Sequence, residues 1–252
     1  MRQNTYFISD LHLGATYLKN PHDYERKVVK WLHSIKDDAK SLYLMGDILD
    51  YWYEYRNVVP RGYVRFLGAL AELADSGVEV TWFIGNHDIW IFDYLPNEIG
   101  VKVVDGYQVK DIDGKRFFLS HGDGLGELKL GFKIIRLVFR NKFCQWLFSA
   151  IHPRWTVPFA HRWSSHSRNY SDEKPVFEGE GKEPFISFAR DYMQENGHID
   201  YFVLGHRHIL LDYELKKDSH LIVLGDWIHH FSYGKYDGNV FILQEYNEKQ
   251  LI

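Results

Sequence analysis

Cysteine is all but absent from this sequence: Cys144 stands alone among 252 residues, so no internal disulfide can form and a small cystine-stapled fold is excluded. No apolar stretch reaches the roughly 18 residues that read as a bilayer span. The first residues, MRQNTYFISDLHLG, lack the charged segment and long apolar run of a secretory signal. The expected location is therefore the cytoplasm. Repeats, low-complexity tracts and linkers rich in Pro, Gly and Ser are missing too. Their absence disfavours arrays, collagen and disorder, and leaves a single domain over residues 1–252 with an exposed loop at 169–184.

What the chain has in plenty is aromatic rings, with 8 Trp, 17 Tyr and 17 Phe, so some of them are expected on a working surface as well as in the core. The net charge of −4 conceals an asymmetry. Residues 128–171 contain no Asp or Glu but eight basic side chains (Lys129, Lys133, Arg136, Arg140, Lys142, Arg154, Arg162 and Arg168), leaving 22 basic against 34 acidic side chains elsewhere. A cationic segment on an acidic body suits an anionic partner for that segment alone. A solvated helix face is the plainer alternative.

Short apolar runs rich in β-branched and aromatic residues at 5–9, 42–45, 80–84, 117–120, 201–204 and 221–224 read as buried strands. Helical spacing at 23–35 places Val28, Val29, Leu32 and Ile35 on one side, and at 63–74 it does the same for Phe66, Leu67, Leu70 and Leu73. Strand and helix alternate, which predicts α/β layering. Five of the strands run directly into polar residues: Asp10-Leu-His12, Gly46-Asp47-Ile-Leu-Asp50, Gly85-Asn86-His87-Asp88, His121-Gly122-Asp123 and Gly205-His206-Arg207-His208. Strand C-terminal ends are where α/β sheets build their sites.

Carboxylates, imidazoles and one amide oxygen together suit manganese, iron or zinc better than calcium or magnesium. In Asp-x-His and His-x-His, residues two apart in an extended chain point to one side, so each pair can grip one cluster. The neighbouring glycines let the backbone turn sharply. Two divalent ions about 4 Å apart need a shared carboxylate, a part assigned to Asp47. A lone histidine is more often structural, but five such motifs at five strand ends form a set.

In this order the five blocks resemble the calcineurin-like metallophosphoesterases, and the resemblance runs from Asp10 to Asp226. It implies a β-sandwich of mixed sheets flanked by helices. It further implies that Asp10, His12, Asp47 and His208 hold one ion while Asp47, Asn86, His121 and His206 hold the other. His87 would donate a proton or hydrogen bond to the phosphate or leaving group, oriented by Asp50. Asn86, His87 and His206 would then also border the substrate. Asp226 can buttress His206 or His208. Trp52, Tyr53 and Tyr55 read chiefly as packing.

The stretch at about 124–175 is the addition to that common core. Over 129–151, Lys129, Lys133, Arg136 and Arg140 share one helical face and Phe132, Ile135, Val138, Phe139, Phe143, Trp146, Leu147 and Ile151 another, which predicts one cationic amphipathic helix. Such a helix can lie in an anionic membrane interface or roof a chamber for acyl chains. With FISDLHLG, GDILDYW, SHGDGLG and GHRH around the ligands, the insertion is similar to that of the UDP-2,3-diacylglucosamine pyrophosphatase family of lipid A biosynthesis. That likeness implies a manganese-dependent hydrolase acting on an acylated UDP-sugar at the inner membrane, under a helical lid, with Ser167 and Arg168 as head-group contacts. One position departs, since His87 stands where the proteobacterial branch carries Arg. A phosphatase or phosphodiesterase for a soluble nucleotide, sugar phosphate or phosphoprotein is the rival; the overall acidity speaks against nucleic acid, and nothing points to a protein partner.

Overall fold

The computed structural model describes residues 2–126, 130–167 and 176–247, and in it two mixed sheets lie face to face. The first has the order β11 (Phe241–Glu245), β10 (Ser232–Tyr236), β1 (Asn4–Ile8), β2 (Ala39–Leu44), β3 (Glu79–Phe83), β4 (Lys102–Val104). The second runs β5 (Tyr107–Ile112), β6 (Lys115–Ser120), β7 (Tyr201–Leu204), β9 (Ser219–Leu224), β8 (Leu210–Lys216). Within them β1, β2 and β3 are parallel, as are β6, β7 and β9, while antiparallel strands close the edges at β10–β11, β5 and β8.

Apart from the short β4, which lies parallel to β3 and is partly exposed, the parallel strands are buried, which is why they read as unbroken apolar runs. Phe7, Tyr43, Phe117, Val203 and Ile222 fill the space between the sheets. Their neighbours Tyr6, Ile8, Leu42 and Leu44 turn outward to α1 (Pro21–Ile35) and α2 (Val64–Asp75). On the other side Phe118, Phe202 and Leu204 meet Phe185, Ile186 and Ala189 of α6 (Pro184–Asn196). The result is the expected α/β layering, arranged as a β-sandwich with helices on both outer faces.

The lid region departs from expectation. Instead of one helix over 129–151 there are two, α3 (Leu130–Arg140) and α4 (Lys142–Ser149), followed by α5 (Pro153–Ser167). Asn141 makes the break: its backbone is extended, with ψ 119°, and its side-chain oxygen accepts from the amides of Phe143 and Cys144 at 3.0 and 3.1 Å. An Asn that caps the next helix competes with continuing the previous one. Part of the basic face is not left to solvent either: Arg136 and Arg140 fold back onto Asp123 and Asp105, while Lys133 stays exposed. Lys129 and Arg168 lie outside the described residues, and Ser167 ends α5. No helix among the described residues is long and apolar enough to cross a membrane.

Two glycines at strand ends are required by close approach. A Cβ on Gly85 would stand 2.3 Å from both the amide nitrogen and Oδ1 of Asp47, and one on Gly205 would stand 2.0 Å from Ser9 Oγ and 2.7 Å from Asp10 Oδ2. Gly85→Ala must displace backbone and is expected to cost roughly 1–3 kcal/mol. Gly68→Ala, on the exposed side of α2 with nothing within 4 Å of its Cβ, should instead gain up to about 1 kcal/mol. Thermal unfolding of the two variants checks the contrast; equal shifts would remove the steric argument.

Candidate metal centre

Of the seven strands in parallel pairing, six, three from each sheet, end at one edge of the sandwich and each delivers a polar side chain there; the seventh is the short β4, beside β3. Asp10 and His12 follow β1, Asp47 follows β2, Asn86 and His87 follow β3, His121 follows β6, His206 and His208 follow β7, and Asp226 follows β9. The pairs two apart are not extended, contrary to the spacing argument. Asp10, His12, Asp47, His206 and His208 all have positive φ, at 54°, 45°, 52°, 65° and 56°. Left-handed backbone costs a non-glycine residue about 1 kcal/mol or more and concentrates at functional sites. Here it turns alternate side chains inward.

Both aspartates are divided in the same way. Asp10 Oδ2 accepts from Ser9 Oγ at 2.6 Å and from the His206 amide at 2.9 Å, while Oδ1, fully buried, has no hydrogen-bond partner. It faces His208 Nε2 at 3.3 Å and His12 Nε2 at 3.6 Å. Asp47 Oδ1 accepts from the His87 amide at 2.8 Å, while Oδ2 faces His121 Nε2 at 3.4 Å and His12 Nε2 at 3.8 Å. Asn86 Oδ1 lies 3.3 Å from His121 Nε2. Ligand atoms about 2.0–2.2 Å from a common ion are spaced about 3.0–3.6 Å apart, so these separations are those of a coordination shell.

The imidazoles are held at Nδ1 with Nε2 directed at the cluster, the arrangement that fixes ring orientation for a metal. His208 Nδ1 pairs with Asp226 Oδ2 at 3.0 Å, His121 Nδ1 with the Met45 carbonyl at 2.9 Å, and His12 Nδ1 lies 3.6 Å from Asp50 Oδ1. Asp10, His12 and His208 form one group whose donor atoms lie within 4.8 Å of one another, and Asp47, His121 and His206 form another. His12, Asp47 and His87 form a third such group, with Asp47 Oδ2 3.8 Å from His12 Nε2 and 4.0 Å from His87 Nε2. An orphaned, dry carboxylate oxygen among converging nitrogens fits divalent cations, and these are the residues that would hold them.

Electrostatics without the ions tell the same story. Burial pushes the Asp10 carboxyl up, but His208, His12 and His121 outweigh it and hold it at about 2. Asp47 is held well below the carboxylate range, with burial overcome by His121 and His87. His121 runs the other way, since burial disfavours its charge but Asp47 raises it to about 10. His206, desolvated and beside His121, falls to about 4 and is neutral.

Asp88 and His161 were not legible as partners of the site. Asp88 clasps two ligand loops, taking the Gly85 amide at 2.7 Å on one oxygen, and the Ile48 amide at 2.9 Å and Trp82 Nε1 at 3.1 Å on the other. Burial and Asp47 push its carboxyl up to about 6. Asp50 sits between His87, whose Nδ1 is 3.1 Å from its carbonyl and 3.5 Å from Oδ1, and His161 of α5, 3.8 Å from Oδ2. His229 also pairs with Asp226, at 3.0 Å, and the neighbouring His230 is buried. Trp52 and Tyr53 are buried packing residues, as expected. A cavity of about 500 Å³ opens beside Asn86 and His87, walled mainly by Phe132, Ile135, Val138, Phe139, Phe148 and Phe159. His206 stands in the metal cluster, outside that wall.

The family model for calcineurin-like phosphoesterases matches residues 4–210. The chain belongs to that family. It is accordingly a metal-dependent hydrolase, and the sandwich and the His/Asp clusters are the family's expected fold and divalent-metal chemistry. Among curated relatives, UDP-2,3-diacylglucosamine hydrolase of Porphyromonas gingivalis is 39% identical, over 99% of this chain and all of its own length. Proteins of the same name from Histophilus somni and Haemophilus influenzae are 25% and 26% identical, each over 89% of this chain and 92% and 91% of their own lengths.

Because His121 is protonated at neutral pH in the absence of metal and a metal ligand must be neutral, loading the site should expel a proton. Apparent affinity is expected to rise with pH until His121 loses its proton unaided near 10. Calorimetric titration at pH 7 in buffers of different ionisation heat measures the release; none would remove His121 from the ligand set.

Proposed function

We propose that the protein hydrolyses UDP-2,3-diacylglucosamine, directing water at the α-phosphate and releasing UMP and 2,3-diacylglucosamine 1-phosphate, with two divalent ions, manganese in the first instance. The observation that carries this reading is the shared wall between the cluster and the apolar cavity: a phosphate at Asn86 and His87 would lie beside a chamber between α3, α4, α5 and the body that suits a hydrophobic tail. The names of the relatives point to the same substrate.

Asp10, His12, Asp47 and His208 would hold one ion and Asp47, Asn86, His121 and His206 the other. The ions supply Lewis acidity and, near neutral pH, ionised water. His87 contributes a hydrogen bond to the phosphate or leaving group. A carbonyl only accepts, so the Asp50 contact places a hydrogen on His87 Nδ1; donation from Nε2 then requires the imidazolium form. Asp50 orients that ring. Ser167 and Arg168 would meet the head group.

The outer surface of the lid fits a seat on the inner membrane. Leu130, Leu137, Phe143, Trp146 and Trp155 are 64–74% exposed, interspersed with the exposed bases Lys133, Lys142 and Arg154. Aromatic and aliphatic side chains among cations are the composition of an interfacial helix at anionic lipid.

UMP release with added manganese, compared with an unacylated UDP-sugar and a bis(aryl) phosphate, tests the substrate. Strong preference for the acylated compound is expected; equal cleavage of the unacylated one would sink the lipid reading while leaving the hydrolase. In ¹⁸O-water the label should appear in UMP, and label in the sugar phosphate would move the attack to the other phosphorus. Asp47→Ala should lose bound metal, whereas His87→Ala should keep it and lose about 10²–10⁴ in rate. Equal metal loss in both would contradict the separate roles.

A further inference from the structure

A single guanidinium enters the cavity beside Asn86 and His87. Arg136 of α3 is part of the wall, and its Nε donates to Asp123 Oδ2 at 3.1 Å, with Asp123 itself buried. That contact uses the side of the guanidinium only; among the described residues neither Nη1 nor Nη2 has a hydrogen-bond partner. The group lies against the backbone of Gly124, where a Cβ would stand 2.8 Å from Nη2 and 2.9 Å from Cζ, so the chain leaves room for it. Arg140, one turn on, contrasts with it: it pairs with Asp105, lies 4.0 Å from Asp123 and is not in the cavity wall. One arginine tethers the lid, and the other offers a fork of two nitrogens to whatever lies next to the cluster.

We propose that Arg136 binds the second, sugar-linked phosphate of a diphosphate substrate through Nη1 and Nη2, and so selects diphosphates over simple phosphodiesters; this rests on the reading that the substrate is a nucleoside diphosphate sugar. Planar, permanently charged and prepositioned by Asp123, the guanidinium matches two phosphate oxygens. In the reaction a water oxygen bonds to the α-phosphorus, and the bond from that phosphorus to the bridging oxygen breaks. The bridging oxygen leaves with its electron pair on the second phosphate, and the protons of water pass to solvent. Charge therefore grows on the phosphate that Arg136 holds, where a fixed cation stabilises the transition state more than the ground state.

The test compares Arg136→Gln, Arg136→Lys and Arg140→Gln with wild type on three compounds: the acylated UDP-sugar, an unacylated UDP-sugar and a bis(aryl) phosphate. For Arg136→Gln, kcat/KM on either diphosphate should fall at least about tenfold further than on the bis(aryl) ester, about the worth of one charged hydrogen bond. Arg136→Lys should recover part of that difference. Arg140→Gln, which loosens the lid but leaves the cavity guanidinium, should lower all three rates in proportion. A proportional fall in Arg136→Gln would make it a lid tether like Arg140 and overturn the proposal. A wild type that cleaves the unacylated diphosphate and not the acylated one would end the lipid reading while leaving the Arg136 comparison legible. One that cleaves only the bis(aryl) ester would end both.

Discussion

Five carboxylates, Asp10, Asp47, Asp50, Asp88 and Asp226, are buried at one edge of the sandwich, and the rest of the architecture follows from having to satisfy them. An isolated buried charge costs several kcal/mol unless paired and hydrogen-bonded. Three of them draw partners from another strand end, the His206 amide for Asp10, the His87 amide for Asp47 and the Ile48 amide for Asp88, each besides or without local donors, while Asp226 takes three successive amides of its own loop, residues 228–230. The ligand loops are thereby fastened to one another across both sheets. Asp10 keeps one oxygen without a hydrogen-bond partner, at the place where the imidazoles of His12 and His208 converge.

That arrangement also explains the strain. Amide donors and imidazole rings from loops only a few residues long can meet one carboxylate only if the backbone reverses abruptly, and five ligand positions do so in the left-handed region. The buried parallel strands make this tolerable, since β1, β2, β6 and β7 are pinned on both faces and cannot yield. The strained turns borrow stability from a core whose packing they do not disturb.

The same contrast decides how much could be read from sequence. The six buried parallel strands and the polar residues at their ends were legible because a polar residue directly after a buried apolar run is conspicuous. The antiparallel strands were not: β10, SYGKY, holds Ser, Gly and Lys in a short run, and β8, LLDYELK, alternates apolar and polar residues instead of forming the unbroken apolar run that marked the others. The inward convergence of Asp10 with His12 was anticipated for the wrong reason, because two-residue spacing implies one side only in extended chain. Asn141 was passed over inside a strong helical pattern, although a side chain that caps is a stop signal. Arg136 looked like one of four bases on a stripe; its pairing with Asp123 depends on a loop following a different strand.

The lid is held by the same loops that carry the ligands. Tyr53, three residues after Asp50, donates to the Gln145 carbonyl at 2.7 Å, and Trp90, three after His87, donates to the Phe139 carbonyl at 2.9 Å. Tyr55 meets Thr156 of α5 through its hydroxyl. These ring donors satisfy carbonyls where α3 ends and within α4, groups that a helix terminus leaves open. The lid therefore does not float over the site: its distance from the cluster is set through residues only a few positions from Asp50 and His87. A cavity fixed in this way can hold a long apolar group in register with a phosphate. The same Trp90 stacks on Phe148 and tilts against Phe139, with ring centroids 4.9 and 5.3 Å apart, so lid packing bears directly on a residue three positions from His87.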